Sequence, residues 1–131
     1  MSDVADLLDK AARAYQSAKL LLTADDKDGA CSRAYYAMFD AARAALISLG
    51  YAPEELKTHS SVIGQFGLRL VKTGLVTRAI GKSLNDVQEI RQLADYLPAQ
   101  VPRDKAEWAV DQAGLFVATV AALSCVRAER H

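Results

Sequence analysis

The sequence predicts one all-α domain, an up-down bundle of about five helices. Three observations carry this. Apolar residues recur at i, i+4 and i+7 through most of the chain. No run alternates β-branched and polar residues as a half-buried strand would. The breakers Gly50, Gly74, Pro98 and Pro102 fall between the periodic stretches, and the short connections they mark favour antiparallel neighbours. At 131 residues the chain has the size of one domain, 1–131, with a core that needs no covalent staples.

The first helix is expected over 3–23, with Ser2 as N-cap and Asp3 in the first turn. Its stripe is Val4, Leu8, Ala11, Tyr15, Ala18 and Leu22. A polar turn, Thr23 to Gly29, leads to a second helix over 28–49 that buries Tyr35, Phe39, Ala42, Leu46 and Leu49 and stops at Gly50. After a loop containing Pro53, a third helix over 59–73 begins at Thr58 or Ser60 and turns Ile63, Phe66 and Leu70 inward. Gly64 and Gly67 weaken it by up to ~1 kcal/mol each and leave room for another backbone to approach. The fourth helix, 77–97, carries Ile80, Leu84, Val87 and Ala94. The fifth, 103–127, carries Ala109, Ala113, Phe116, Val120 and Leu123, widened by Leu115, Val117 and Val126. So wide an apolar face implies burial on two sides, hence self-association.

Sixteen basic residues balance sixteen acidic ones. Binding to nucleic acid by bulk charge is therefore excluded, and any RNA contact must come from a local cluster or a groove between subunits. Cys31 and Cys125 lie in helical, apolar surroundings and read as free buried thiols. The start of the chain lacks the basic-then-apolar layout of a signal peptide, and no apolar run approaches ~18 residues, so a cytoplasmic protein is expected. Spacings for zinc, di-iron, P-loop, dinucleotide or nucleophile-elbow sites are absent, so neither metal nor cofactor is expected.

Two helices place polar groups where packing does not ask for them. On the second, Arg33, Tyr36, Asp40 and Arg43 share one strip, displaced by about 120° from the core stripe. This is either a solvated face with intrahelical ion pairs or the lining of a groove or interface. On the fourth, Arg91 lies four residues after Val87 and seven after Leu84, along the apolar stripe. A guanidinium there requires a partner, and Asp95 is within reach. It is either a structural ion pair or a functional arginine facing a groove or a second subunit. His59 opens the third helix on its core-stripe face. The positive end of the helix dipole there favours its neutral form, so it is either a proton acceptor at a groove or a first-turn histidine hydrogen-bonded to a neighbouring helix.

The strings Ser32-Arg33-Ala34-Tyr35-Tyr36-Ala37-Met38-Phe39, Lys57-Thr58-His59-Ser60 and Arg91-Gln92-Leu93-Ala94-Asp95-Tyr96, in that order, resemble the HEPN superfamily of small helical domains. They are most similar to its prokaryotic branch with the pattern Arg-x-Tyr-Tyr-Ala, Thr-His, Arg-x-x-Ala-Asp-Tyr. The resemblance implies a homodimer in a two-gene toxin–antitoxin-like unit, partnered by a minimal nucleotidyltransferase. It also implies a groove that binds RNA or a nucleotide, with Arg33, Tyr36, Asp40 and Arg43 as binding or interface residues. HEPN ribonucleases cleave RNA without metal, using an arginine followed four to six residues later by a histidine. Here the arginine is Arg91 and the histidine position holds Tyr96. A phenol titrating near ~10 is a poor base at neutral pH, and a carboxylate such as Asp95 serves only if its environment raises it from ~3.9. The resemblance therefore implies a binding and partner-docking subunit with a degenerate ribonuclease motif. The alternatives are an active endoribonuclease using Arg91 with Asp95, Tyr96 or His59, and a purely structural dimer.

Overall fold

The computed structural model describes residues 3–129, and their side chains as far as Ser124. Five helices follow one another: α1 (Asp3–Thr23), α2 (Lys27–Ser48), α3 (His59–Phe66), α4 (Arg78–Tyr96) and α5 (Arg103–Glu129). No strand occurs among the described residues. The expected N-caps at Ser2, and the side chains of Cys125 and Val126, lie outside what is described.

Three helix starts are fixed by side-chain caps. Asp26 accepts from the Gly29 N–H at 2.9 Å, Thr58 from Ser61 at 3.1 Å, and Thr77 from Ile80 at 3.2 Å. Each cap contributes about 1 kcal/mol by satisfying one orphan donor. Gly50, at φ +108°, ends α2 where a side chain would be strained.

Helix α2 is the centre of the bundle and packs against α1, α3, α4 and α5. Its sequence explains this. Alanines at 30, 34, 37, 41, 42, 44 and 45 are all buried, so neighbouring helices approach closely on several sides. Ala11, Ala14 and Ala18 form the matching face of α1. That stripe is narrower than expected, since Val4, Leu8, Tyr15 and Leu22 are only half-buried. The large residues fill the remaining space: Tyr35, Phe39, Leu46 and Phe116 are buried as expected, and Phe66 lies 5.1 Å from Phe116 between ring centroids. The α4 stripe of Ile80, Leu84, Val87 and Ala94 is buried throughout.

Three expectations are corrected. The third helix is not uniform: after Phe66 the backbone widens into a π-turn over Gly67–Val71, closed by Lys72 N–H to Gly67 O at 2.9 Å. Phe66 and Leu70, four residues apart on one face, are both buried. Gly64 and Gly67 receive no backbone, because a Cβ at either would meet nothing within 4 Å. On α5, Val117 is buried but Leu115 is exposed, with Trp108 one face-repeat earlier.

The connector between α4 and α5 is tied to the start of α2. The Val101 N–H donates to Asp28 at 3.0 Å, and the Lys27 N–H donates to the Gln100 side chain at 2.8 Å. This fastening fixes α4 against α2, which brings Arg91 to the aromatic residues of α2.

Candidate functional site

Tyr35 and Tyr36 are adjacent on α2, so their rings diverge by about 100° around the axis. Tyr35 is fully buried, while Tyr36 is half-buried at the edge of the bundle. A buried phenol needs a hydrogen-bond partner. His59, at the first position of α3, supplies it: the Tyr35 hydroxyl lies 2.6 Å from His59 Nδ1. The imidazole also stacks on Phe39, with centroids 4.6 Å apart. The ring is thus held on two sides, by a hydrogen bond and by an aromatic face.

Arg91 arrives from α4. Its guanidinium carbon sits 4.9 Å over the Tyr35 ring centroid and 5.6 Å from that of Tyr36. Such contacts contribute about 0.5–2 kcal/mol, more when desolvated. Arg91 Nη1 lies 3.5 Å from the Tyr36 hydroxyl and 3.6 Å from the Asp95 carboxylate. The Arg91 side chain is 17% exposed and that of Asp95 64%, so the counter-ion stays in solvent while the cation is mostly buried. Arg91 Nε is buried with no acceptor. This guanidinium is oriented by aromatic stacking and retains donor capacity.

The electrostatics follow from this packing. Burial pushes the Tyr35 hydroxyl up to about 12, against the pull of Arg91, so it stays protonated. Burial, then the Arg91 charge, lowers His59 below its ordinary value, so the imidazole is neutral at neutral pH. Both partners are therefore neutral, and the direction of the bond follows the tautomer: the phenol donates to Nδ1, or Nδ1–H donates to the phenol oxygen. In the second tautomer Nε2 carries no proton and is the nitrogen that can accept one.

Beside this cluster lies a cleft of about 280 Å³ between α1 and α2, lined by Lys10, Arg33, Tyr36, Phe39, Asp40 and Arg43. Tyr36 belongs to both. Asp40 is buried, so the α2 strip is not a fully solvated face. Burial raises its carboxyl above the usual range, although Lys10, Arg43 and Arg33 all pull it down. Desolvation outweighs all three charges, and the Arg43–Asp40 pair itself is loose at 3.9 Å.

Of the residues expected at a site, the structure brings Tyr36, His59, Arg91 and Asp95 into one connected cluster. Arg33, Tyr36, Asp40 and Arg43 line the adjoining cleft. Tyr96 stands apart: it is 87% exposed at the end of α4. Three contributors were not singled out from the sequence. Tyr35 was read as core, yet its hydroxyl positions His59; the need of a buried phenol for a partner was the available signal. Phe39, also read as core, carries the imidazole. Lys10 comes from α1, and its place depends on how α1 meets α2.

The comparisons with known proteins agree with one another. A family model described as HEPN domain matches residues 4–123. The chain is 38% identical over 91 residues to a Gloeobacter violaceus protein named "UPF0332 protein glr0978", covering 70% of each. It is 30% identical over 115 residues to a Methanocaldococcus jannaschii protein named "Putative toxin MJ0605", covering 88% of this chain and 84% of that one. A second protein of that organism, "Putative toxin MJ0142", is 28% identical over 112 residues, 85% of this chain and 74% of its own.

Proposed function

This chain belongs to the HEPN domain family, and from that premise we propose that it is an RNA- or nucleotide-binding subunit of a toxin-like module. In this reading it works as a homodimer, docks a minimal nucleotidyltransferase and has weak or no ribonuclease activity. The observation that carries the binding role is Arg91. It is mostly buried, stacked on Tyr35 and Tyr36, and has one buried donor without an acceptor. A stacked, pre-oriented guanidinium loses little freedom on meeting a phosphate, and its fork matches phosphate oxygens. The toxin-like role is supported by relatives whose names say toxin.

Self-association is supported by the groove between α4 and α5. It encloses about 610 Å³, with Ile90, Leu93 and Trp108 as apolar lining and Lys82, Asp86, Glu89, Asp104 and Lys105 around them. Both charge signs line it, so two copies can pair opposite charges about a two-fold axis. A stable interface there exceeds ~1,000 Å² in total.

Weak cleavage follows from the proton chemistry. Tyr96 is exposed and has no part in the Arg91 cluster, and Asp95 is open to solvent. His59 favours a second reading, an active metal-independent endoribonuclease. It is neutral, held by Tyr35 and Phe39, and beside the arginine that would hold the phosphate. In that case Nδ1–H would donate to the Tyr35 oxygen, leaving Nε2 unprotonated to take the 2′-hydroxyl proton.

The test of the binding role is fluorescence anisotropy of a single-stranded RNA against wild type and Arg91→Ala. The proposal expects wild-type binding that weakens at least about tenfold in the variant. Equal binding by both proteins would remove Arg91 from the site.

A further inference from the structure

We infer that the Lys10–Arg33–Arg43 cleft is a second phosphate subsite, contiguous with Arg91 through Tyr36, so that the chain grips two phosphates of one RNA strand. This rests on the RNA-binding reading above and adds to it which groups hold the neighbouring phosphate.

The charge count is the first argument. The whole chain is neutral, with sixteen cations and sixteen anions. The cleft is not: it gathers Lys10, Arg33 and Arg43 around the single carboxylate of Asp40. One cation suffices for one carboxylate. Arg43 approaches it loosely, at 3.9 Å, while Lys10 and Arg33 act on the same carboxylate at longer range and make no close ion pair among the described residues. The cleft itself holds three cations against one carboxylate in a concave space where low-dielectric walls concentrate the field, and Asp3 and Asp6, which border a neighbouring cleft with Lys10 and Arg43, offset part of that excess.

Donor geometry is the second. Arg43 Nε is buried and has no acceptor. The Arg43 side chain as a whole is 25% exposed, so its outer nitrogens are the donors an incoming anion meets. Continuity is the third. Tyr36 presents its ring to the cleft and its hydroxyl to Arg91 at 3.5 Å. The Tyr36 and Phe39 rings offer apolar surface for a base or ribose between the two phosphate positions. A strand running over Tyr36 meets Arg91 on one side and the three cations on the other. Asp40 opposes the anion, so its charge limits the affinity of the subsite.

The experiment uses an oligouridylate of about eight nucleotides with a 5′-hydroxyl, a length within the usual single-strand site. Its affinity is measured against salt for wild type, Lys10→Gln/Arg33→Gln, Asp40→Asn and Arg91→Ala. Uridine monophosphate serves as competitor. Arg43 is left intact so that Asp40 keeps its counter-ion and the fold is undisturbed; melting curves of all variants check this. The double variant should bind about tenfold more weakly. Its salt slope should be shallower by about 0.7, the value for one lost contact on a single strand. Asp40→Asn should bind more tightly. The monophosphate, reaching one subsite at a time, should compete only at concentrations ~100-fold higher or more.

Undiminished affinity and slope in the double variant overturn the subsite. If Arg91→Ala still weakens binding in that case, the RNA-binding reading stands without it. A monophosphate that competes as well as the oligomer overturns the two-phosphate grip and leaves a nucleotide site. Absence of wild-type binding to any RNA overturns both.

Discussion

Replacing Tyr35 by phenylalanine keeps the ring that stacks with Arg91 and deletes only the hydroxyl that holds His59. The hydroxyl belongs to a fully buried residue and lies 2.6 Å from Nδ1. Its removal leaves the imidazole Nδ1 facing an apolar edge. Losing a typical net hydrogen bond costs about 1 kcal/mol, and a donor or acceptor left unsatisfied costs about 1–3 kcal/mol. His59 is half-buried and can recruit water, so the lower half applies, about 1–2 kcal/mol. For a domain of this size that lowers Tm by roughly 3–10 °C. Thermal melting by circular dichroism reads the stability, and proton NMR reads the ring. The chain has two histidines, His59 and the terminal His131, so the His59 imidazole signals can be followed beside a single reference. The variant should shift the His59 signals, and RNA affinity should fall less than in Arg91→Ala. An unchanged Tm together with unchanged His59 signals would refute the hydrogen bond and, with it, the orientation of the imidazole.

Further outcomes follow from the same geometry. Phe39→Ala should cost about 3–5 kcal/mol in a urea or thermal titration, because it removes a buried ring that also supports His59; an unaltered melting curve would contradict the α2 register. His59 is lowered in the folded state, so its contribution is complete above its ordinary value of ~6.5 and is lost as pH falls through the lower folded value. Stability measured from neutral to mildly acid pH should therefore decline, and His59→Gln should flatten that part of the profile. Trp108 is the only tryptophan and is 40% exposed in the α4–α5 groove. Its emission should shift to the blue as concentration rises through the micromolar range, in step with dimer formation by sedimentation; a monomer throughout would contradict the assembly.

Much of the fold was legible because local signals agreed. The periodic stretches of α4 reappear as its buried face, and Gly50 and Thr58 mark real helix ends. What the sequence obscured was set by packing between helices. The π-turn after Phe66 has no period of its own to read. The stripe of α1 narrowed to three alanines because an alanine-rich α2 lets it come close, leaving its larger residues at the edge. The site divides in the same way. Arg91 was conspicuous because a charge fell on an apolar stripe. His59 and Tyr35, by contrast, are 24 residues apart and meet only when α3 docks on α2. Lys10 faces the α2 cations across the α1–α2 seam, a juxtaposition that neither helix announces alone.

The central claim is that Arg91 anchors RNA while the proton chemistry for cleavage is weak. One gel decides it most directly. A single-stranded RNA is incubated with wild type, Arg91→Ala, His59→Ala and Tyr96→His in the presence of a chelator, and bound and cut species are read together. The account predicts a shifted band for wild type that is lost in Arg91→Ala, with little or no cleavage by wild type. Robust wild-type cleavage that disappears in both Arg91→Ala and His59→Ala would contradict it and make the protein a metal-independent ribonuclease.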